Sequence, residues 1–206
     1  MDTFSIAFVC TGNRFRSPLA EAFVRRLTLD LPVTTESYGT LRVEDAPPLP
    51  EAVEIALWCG VSLAEHRTRY VNEASLQNVD LLLGFEPGHV RQAVVDAQAP
   101  RARSFTLGDF VPLLPAYGAR PPEEDVVTRA RDLVAAAGER LADSTGLKAQ
   151  SMRDPYGGPW KVYLRTASEI RELTIALAER LFGVTDVSGL RPVPTRLGRT
   201  RGILRR

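Results

Sequence analysis

Residues 4–27, FSIAFVCTGNRFRSPLAEAFVRRL, place an apolar run, a lone cysteine, a short polar loop and a helix-like segment in immediate succession. Phe4–Val9 is predicted to form a β-strand, and Ser17–Leu29 has its apolar residues at helical spacing. Cys10 therefore follows the end of the strand, and in open parallel sheets ligands bind beyond the carboxyl ends of the strands. The stretch predicts an α/β fold with a ligand site after its first strand.

The same alternation of short apolar segments and amphipathic segments continues along the chain. The predicted strands are Phe4–Val9, Val33–Tyr38, Val79–Leu83 and the weaker Arg103–Leu107. The predicted helices are Ser17–Leu29, Leu49–Cys59, Pro87–Ala97, Pro122–Ala142 and Thr166–Phe182, and the predicted loops are Pro112–Pro122 and Gly146–Pro159. This order predicts an α/β fold: a single three-layer domain with a four-stranded parallel sheet and helices on both faces.

The loop after the first strand has the residue types of an anion-binding site. Gly12 and Asn13 tolerate positive φ, so the loop can curl with its backbone N–H groups pointing inwards. The Ser17-Pro18 pair begins a helix, whose N-terminus adds unpaired N–H groups and the positive end of a dipole. Arg16 adds a planar guanidinium that matches phosphate oxygens. The predicted phosphate-binding residues are Thr11, Gly12, Asn13, Arg14, Phe15, Arg16 and Ser17.

Cys10 would lie at the floor of this positive loop, which favours the thiolate over the thiol. A thiolate in that position is a nucleophile for phosphoryl transfer through a phosphocysteine. The leaving group needs a proton, and Asp154, in the only Asp-Pro pair of the chain, is the candidate acid. Tyr156 and Trp160 are candidate walls for a ring-bearing substrate, with packing of their loop as the alternative. For Cys59, on a predicted helix, a core position is preferred.

The composition favours one globular domain and argues against several other classes of protein. The chain has 206 residues, 44% of them hydrophobic, and a formal charge of +1. It has no apolar run long enough for a membrane span, and its N-terminus lacks the features of a signal peptide. Two cysteines without a Cys-x-x-Cys pair predict a reducing, cytoplasmic environment. The two histidines, His66 and His89, do not form a zinc-ligand pattern, so no metal and no cofactor are expected.

Positive charge is concentrated at the C-terminus. Residues 188–206 contain six arginines and no acidic residue, which leaves −5 on residues 1–187 out of a total of +1. Because the basic residues cluster only in this tail, no nucleic-acid binding is expected. Residues 184–206 are predicted to be a flexible Arg-rich tail, with attraction to an acidic surface as the alternative.

The loop residues match the signature C-x-G-N-x-x-R-S-P at Cys10, Gly12, Asn13, Arg16, Ser17 and Pro18. At these residues the chain resembles the low-molecular-weight protein tyrosine phosphatase family, as a bacterial-type member. Four further segments follow in the order of the family: SYGT (37–40), EHRTR (65–69), VDLLLGFEPGHV (79–90) and DPYGGPWKVY (154–163). The resemblance covers about residues 3–182 and assigns residues 1–183 to a phosphatase domain.

The resemblance implies three catalytic roles. Cys10 would be the nucleophile, and Arg16 would bind the phosphate and stabilise the transition state. Asp154 would act first as the acid and then as the base that activates water.

The resemblance also implies a supporting network. Ser17 would donate a hydrogen bond to the thiolate. Asn13 would hold a strained loop conformation through contacts with His66 and Ser37. An ordinary surface position is the alternative for His66, and His89, on its predicted helix, is expected to be solvated.

Two loop positions depart from the pattern of the family. Phe15 stands where many members have a second cysteine, which can trap the nucleophile in a reversible disulfide, so no local protection of Cys10 is expected. Arg14 stands where tyrosine phosphatases commonly have an apolar residue and protein-arginine phosphatases a threonine. A cation there is expected to disfavour phosphoarginine and to favour acidic substrate flanks, unless Arg14 points to solvent.

The predicted function is therefore hydrolysis of a phosphomonoester, as a cysteine-dependent protein tyrosine phosphatase. Its expected partner is a phosphotyrosine-bearing protein substrate, and its expected state is a monomer or weak dimer. Protein-arginine phosphatase and thioredoxin-coupled arsenate reductase are alternatives on the same fold, although the reductases need further cysteines and none follows Cys59. A non-catalytic phosphoprotein-binding module would lack Cys10, Arg16 or Asp154, and all three are present.

Overall fold

The computed structural model describes residues 2–116, 125–143 and 150–195. In chain order the strands are β1 (Phe4–Cys10), β2 (Val33–Gly39), β3 (Leu81–Gly84) and β4 (Ser104–Thr106). The helices are α1 (Arg16–Leu27), α2 (Pro50–Cys59), α3 (Pro87–Asp96), α4 (Leu107–Leu113), α5 (Val126–Asp143) and α6 (Trp160–Phe182). The predicted alternation of strands and helices is confirmed.

The described strands form one parallel sheet in the order β2-β1-β3-β4. The register pairs Cys10 with Gly39 of β2, and Val9 with Gly84 of β3. Because parallel strands present their carboxyl ends at one edge, the loops after β1, β2 and β3 meet there. This edge of the sheet is where the sequence predicts a ligand site.

Helices cover both faces of the sheet, as predicted. Successive side chains of a strand point to opposite faces, so Phe4, Ile6 and Phe8 of β1 enter the larger core with α1, α2 and α6. Ala7 and Val9 enter a second core, which they share with α3. β1 is therefore buried on both sides, which explains why its sequence is a continuous apolar run.

Two helices, α4 and α6, depart most from the prediction. α6 begins at Trp160, earlier than the predicted start at Thr166, because the chain turns into the helix directly after Pro159 at the N-cap. α4 was predicted partly as strand and partly as loop. Its cap, Thr106, lies inside the predicted strand, and Pro112 suggested a break, although a proline near the end of a seven-residue helix removes only one hydrogen bond.

One predicted helix and two predicted loops lie partly outside the described residues. These are the first residues of the predicted helix Pro122–Ala142, the end of the loop Pro112–Pro122 and the start of the loop Gly146–Pro159. Residues 150–159 belong to no helix or strand, as predicted. Among the helices of the described ranges, none has the length and hydropathy needed to span a bilayer.

The chain continues to pack beyond Gly183, which ends α6 in the left-handed conformation at φ 71°. Leu190 is buried, and its carbonyl accepts a 2.6 Å hydrogen bond from Arg171 of α6. The backbone N–H of Arg191 donates to the Cys59 carbonyl at the end of α2 over 2.9 Å. Part of the predicted tail is thus attached to the domain, and residues 196–206 lie outside the described residues, so for them the flexible tail stays a prediction.

Candidate active site

Glycines at the ends of β2 and β3 allow other parts of the chain to lie close to these two strands. A Cβ on Gly39 would lie 2.9 Å from the carbonyl oxygen of Thr11, which is closer than real Cβ contacts. A Cβ on Gly84 would lie 2.8 Å from Val90 Cγ2 and 3.2 Å from the Cβ of His89. Only glycine at these two positions lets the loop lie on β2 and the first turn of α3 lie against β3.

The loop carbonyls point away from its centre. Five of them accept hydrogen bonds, which run from Thr40 N to Cys10 O (2.9 Å), Leu41 N to Thr11 O (2.8 Å), His66 Nε2 to Asn13 O (2.8 Å), Leu49 N to Arg14 O (2.8 Å) and Leu19 N to Phe15 O (3.1 Å). In a trans peptide the following N–H points opposite to the carbonyl. The next N–H groups, those of Thr11, Gly12, Arg14, Phe15 and Arg16, therefore converge on the centre and form an anion-binding nest.

Asn13 has the left-handed backbone conformation, with φ 49°, that the curl of the loop requires. Its side chain is fully buried and donates from Nδ2 to Ser17 Oγ and to Ser37 Oγ, both over 2.9 Å. Its Oδ1 accepts from the backbone N–H of Arg69 over 2.8 Å, and His66 donates to its carbonyl. The predicted network is therefore assembled, with His66 joined through the backbone of Asn13 and not through its side chain.

Glu21 of α1 completes this network, and the sequence did not single it out. Ser37 donates its hydroxyl proton to Glu21 over 2.6 Å, so the Ser37 oxygen is left to accept from Asn13. Glu21 is nearly buried and its charge is balanced by Arg25 and Arg69, at 3.2 and 3.6 Å. A buried carboxylate needs such partners, which ties the conformation of the loop to α1 and to the segment before β3 that carries Arg69.

The nucleophile candidate Cys10 is buried, and its Sγ lies 3.0 Å from Ser17 Oγ. Ser17 Oγ accepts from Asn13 Nδ2, so its own proton is available to donate. A thiolate at Cys10 can only accept, and Ser17 is then its donor, as the resemblance implies. The carbonyl of Tyr38, 3.3 Å from Ser17 Oγ, is the alternative acceptor when the sulfur is protonated.

Arg16 is 1% exposed and is the largest fully buried side chain among the described residues. From Nη1 it donates to Glu86 Oε1 over 2.6 Å and to the carbonyl of Met152 over 2.8 Å. From Nη2 it donates to Thr11 Oγ1 over 2.9 Å and to Asp154 Oδ2 over 2.6 Å. A charge this deeply buried requires compensation, and two carboxylates provide it. Glu86 was not singled out by the sequence.

The loop that carries Asp154 is attached at both ends. The N–H of Met152 donates to the carbonyl of Phe85, just after β3, over 2.8 Å. Gly157, at φ 73°, donates its N–H to the Tyr163 hydroxyl over 3.1 Å. The Asp154 side chain contacts Arg16 and is 38% exposed. It is therefore also accessible from the solvent side of the cavity.

A cavity of about 200 Å³ opens above Cys10. Its lining comprises Cys10, Thr11, Gly12, Arg14, Phe15, Arg16, Leu41, Val43, Leu49, Asp154 and Tyr156. The prediction that Tyr156 is a wall agrees with this position. Trp160 is not part of the lining, which contradicts the prediction: after the turn at Gly157 and Gly158 the chain enters α6, and the Trp160 ring lies 6.0 Å from Tyr163.

A further part of the lining, formed by Leu41, Val43 and Leu49, was missed. These residues lie in the segment between β2 and α2, which has no periodic pattern from which their direction could be inferred. The signal available was only their apolar character in an otherwise polar and Pro-rich stretch. Together with Tyr156 they give the cavity apolar sides above a polar floor.

Arg14 and Phe15, the two loop residues with unusual identities, both have specific contacts. Arg14 donates from Nε to the carbonyl of Pro47 over 2.9 Å and lines the cavity, so it does not simply point to solvent. Phe15 is buried, with its ring in edge-to-face contact with Tyr163 at 5.1 Å. Cys59 is fully buried outside the cavity lining, and burial raises the pKa of its thiol to about 11.

His89 is buried, and the expectation that it is solvated is wrong. Its Nδ1 accepts from the backbone N–H of Glu86 over 3.1 Å, which caps α3, and its Nε2 lies 3.0 Å from Thr11 Oγ1. Burial, and then the charge of Arg16, lower the pKa of His89 to about 4. The residue was misplaced because the close approach of α3 depends on Gly84, which the helical pattern does not show.

The groups that converge on the cavity suit an anion. The loop residues and Arg16 line the same cavity as Cys10, and their backbone N–H groups and guanidinium are all donors. Within the ranges that the structure describes, no three or more His, Cys, Asp or Glu side chains are grouped to hold a metal ion. The arrangement can bind a tetrahedral oxyanion against a nucleophilic sulfur, with a carboxylate on its open side.

Comparisons with known proteins agree with this geometry. The family model described as low molecular weight phosphotyrosine protein phosphatase matches residues 5–118, more than half of the chain. The low molecular weight protein-tyrosine-phosphatase Etp of Escherichia coli K12 is 33% identical over 108 residues, 52% of this chain and 71% of that protein. A protein-arginine-phosphatase of Bacillus subtilis 168 is 27% identical over 180 residues, 85% of this chain and 95% of its own length.

The fold is also similar to a solved structure. The crystal structure of a low molecular weight protein tyrosine phosphatase from T. tengcongensis superimposes with a TM-score of 0.63 at 28% identity. The match covers 86% of this chain and 99% of that one. The signature loop, its geometry and these comparisons lead to one conclusion: the chain belongs to the low molecular weight phosphotyrosine protein phosphatase family.

Proposed function

We propose that the protein hydrolyses phosphotyrosine in protein substrates through a phosphocysteine intermediate. The observation that carries the proposal is the orientation of the loop after β1. Its carbonyls are bonded outwards, so its N–H groups converge above the sulfur of Cys10. Donors held in place before the reaction stabilise the charge that develops on the transferred group, and this effect is a large part of catalysis.

Substrate binding changes the partners of Arg16. Its Nη1 donates to Glu86 and to the carbonyl of Met152, and these two contacts fix the orientation of the guanidinium. Nη2 and Nε remain for a bidentate contact to phosphoryl oxygens once Asp154 leaves Nη2. The phosphate then takes the place of the Asp154 carboxylate, and Asp154 turns to the oxygen that bridges phosphorus and substrate.

The reaction proceeds in two displacements. Once it has left Arg16, the Asp154 carboxylate takes up a proton. The Cys10 sulfur then forms a bond to phosphorus while the bridging P–O bond breaks, and the leaving tyrosine oxygen takes this proton from the Asp154 carboxyl group. A water molecule then gives a proton to the Asp154 carboxylate and attacks phosphorus, and the S–P bond breaks. Inorganic phosphate leaves, and the thiolate returns to its hydrogen bond with Ser17.

The cavity above the loop favours an aromatic phosphomonoester. Leu41, Val43, Leu49 and Tyr156 give it apolar sides, which suit the ring of phosphotyrosine. Arg14 at the wall opposes a second cation, so the guanidino group of phosphoarginine is disfavoured. Protein-arginine phosphatase remains the second candidate, because the relative matched over 85% of this chain carries that name.

The test is turnover of an aryl phosphate, followed by peptides that carry phosphotyrosine, phosphoserine or phosphoarginine. We expect turnover of the aryl phosphate and of the phosphotyrosine peptides, with phosphoserine the poorest substrate because a short side chain does not reach the sulfur. Faster hydrolysis of phosphoarginine than of phosphotyrosine would replace the proposed substrate. No turnover of any of them would refute the phosphatase activity itself.

We further propose that the protein works in the cytoplasm as a monomer or weak dimer. The unpaired Cys10 and Cys59 support the location, because cysteines stay unpaired in a reducing environment, and they do not bear on the oligomeric state. Sedimentation of the purified protein over a range of concentrations tests the proposed oligomeric state. A stable dimer at nanomolar concentration would contradict it.

A further inference from the structure

The Thr11 hydroxyl lies between groups from two different elements. Arg16 Nη2 donates to Thr11 Oγ1 over 2.9 Å, and His89 Nε2 is 3.0 Å from the same oxygen. Thr11 also lines the cavity above Cys10. The hydroxyl thus contacts the buried guanidinium, the first turn of α3 and the space in which a phosphoryl group would bind.

The cap of α3 determines which nitrogen of His89 carries the proton. The backbone N–H of Glu86 donates to Nδ1 over 3.1 Å, so Nδ1 must be an acceptor. A neutral imidazole has one N–H, which is then on Nε2 and faces Thr11. The surroundings keep the ring neutral, because burial and Arg16 lower the pKa of His89 to about 4 despite the opposing carboxylates of Glu86 and Asp154.

Two donors therefore converge on Thr11 Oγ1. A hydroxyl oxygen has two lone pairs and one proton. The N–H of His89 and the Nη2 of Arg16 occupy both lone pairs. The proton of Thr11 takes the remaining direction around the oxygen, away from both donors, and can only be given to an acceptor.

We propose that His89 is a positioning residue that, together with Arg16, commits the Thr11 hydroxyl to donating a hydrogen bond to the phosphoryl group above Cys10. This inference rests on the proposed phosphatase function. It adds one side-chain donor to the backbone donors of the loop, and it gives the close approach of α3, which requires Gly84, a purpose in catalysis. A hydrogen bond to a charged oxygen is among the stronger ones in proteins.

Two pairs of substitutions separate this role from structural support. Thr11→Val removes the hydroxyl at nearly constant volume, whereas Thr11→Ser keeps it. His89→Asn keeps an acceptor near the position of Nδ1, and with it the cap of α3, but has no donor that reaches Thr11. His89→Gln has an amide nitrogen near the position of Nε2, so it can still donate to Thr11.

The measurements are the affinity for inorganic phosphate by calorimetry, kcat and KM with an aryl phosphate, and the melting temperature. Thr11→Val is expected to bind phosphate about tenfold more weakly, since a hydrogen bond to a charged group is lost. His89→Asn should weaken binding similarly with little change in melting temperature. Thr11→Ser and His89→Gln should recover most of the affinity relative to their partners.

A double-mutant cycle completes the test. If His89 acts through Thr11, adding His89→Asn to Thr11→Val causes little further loss, because the hydroxyl it orients is already absent. Additive losses, or unchanged phosphate affinity in Thr11→Val, would overturn the proposal. Phosphate binding is measured without turnover, so an inactive wild-type protein would refute the proposed function and leave this result interpretable.

Discussion

The two loops that meet at the cavity are built in opposite ways. The loop after β1 is fixed throughout: its carbonyls are bonded outwards, and Asn13, Arg16 and Ser17 are buried. The loop of Asp154 is held by Met152 at one end and by the Tyr163 hydroxyl near the other, with Tyr156 71% exposed between them. The fixed loop presents donors whose geometry must not change, whereas Asp154 must leave Arg16 and exchange protons.

This reaction needs rigidity in one of the two loops and mobility of a side chain in the other. A site that stabilises charge works best when its dipoles are aligned beforehand, because no reorganisation is then required. An acid that becomes a base must reach two different oxygens in turn. The buried network behind Asn13 serves the first need, and the partial exposure of Asp154 serves the second.

The largest expected effect is loss of the sulfur nucleophile from the fixed loop. Cys10→Ser should lower kcat with an aryl phosphate by roughly 10⁴-fold or more, because a hydroxyl is a far weaker nucleophile than a thiolate. Cys59→Ala is the matched control, since Cys59 is buried and is not part of the cavity lining. Equal activity of Cys10→Ser and the wild type would exclude the phosphocysteine mechanism.

The next largest effect is expected from a substitution in the loop of Asp154. Asp154→Asn should lower kcat by about 10²- to 10³-fold with a poor leaving group and by much less with a good one, since a poor leaving group needs the proton. Steady-state rates with a series of aryl phosphates of graded leaving-group acidity measure this slope. An equal loss across the series would mean that Asp154 does not act as the acid.

The third prediction tests whether the fixed loop owes its shape to Asn13. Asn13→Gly accepts the positive φ but loses three side-chain hydrogen bonds, so unfolding should become easier by about 2 kcal/mol. Asn13→Ala adds backbone strain and should cost about 1 kcal/mol more. Chemical denaturation compares the two variants, and the strain argument fails if Asn13→Ala is the more stable one.

The smallest predicted effect concerns the wall of the cavity. Arg14→Thr should raise turnover of phosphoarginine relative to phosphotyrosine by about five- to tenfold, because one opposing charge at a partly exposed position is removed. Competition between the two phosphopeptides in one reaction measures the ratio directly. Arg14→Lys, which keeps the charge, is the control. If Arg14→Lys and Arg14→Thr raise the ratio of phosphoarginine to phosphotyrosine turnover equally, the charge argument is wrong.

The identity of the chemical groups was readable from the sequence because they are nearly contiguous. Cys10, Gly12, Asn13 and Arg16 lie within one strand end, loop and helix start, where local backbone preferences determine the shape. The parallel sheet followed from the alternation of strands and helices. Asp154 was found through a local Asp-Pro turn and through the resemblance to a family.

What the sequence could not show is how distant segments meet this loop. Glu21 and Arg69 complete the network behind Asn13, and Glu86 holds Arg16 from a position 70 residues away in the chain. Trp160 was predicted to be a wall and instead packs at the start of α6. Side-chain directions at such places depend on how the helix and loop after each strand turn, which hydrophobic spacing does not specify.

The sequence by itself therefore determined the candidate catalytic residues: a cysteine, an arginine and an aspartate around an anion-binding loop. Only the tertiary structure decided their surroundings. Because Gly39 and Gly84 allow neighbouring segments to approach closely, β2 supports the loop and α3 brings His89 to Thr11. Contacts of this kind depend on the packing of separate elements at one edge of the sheet, and packing is a property of the folded chain as a whole.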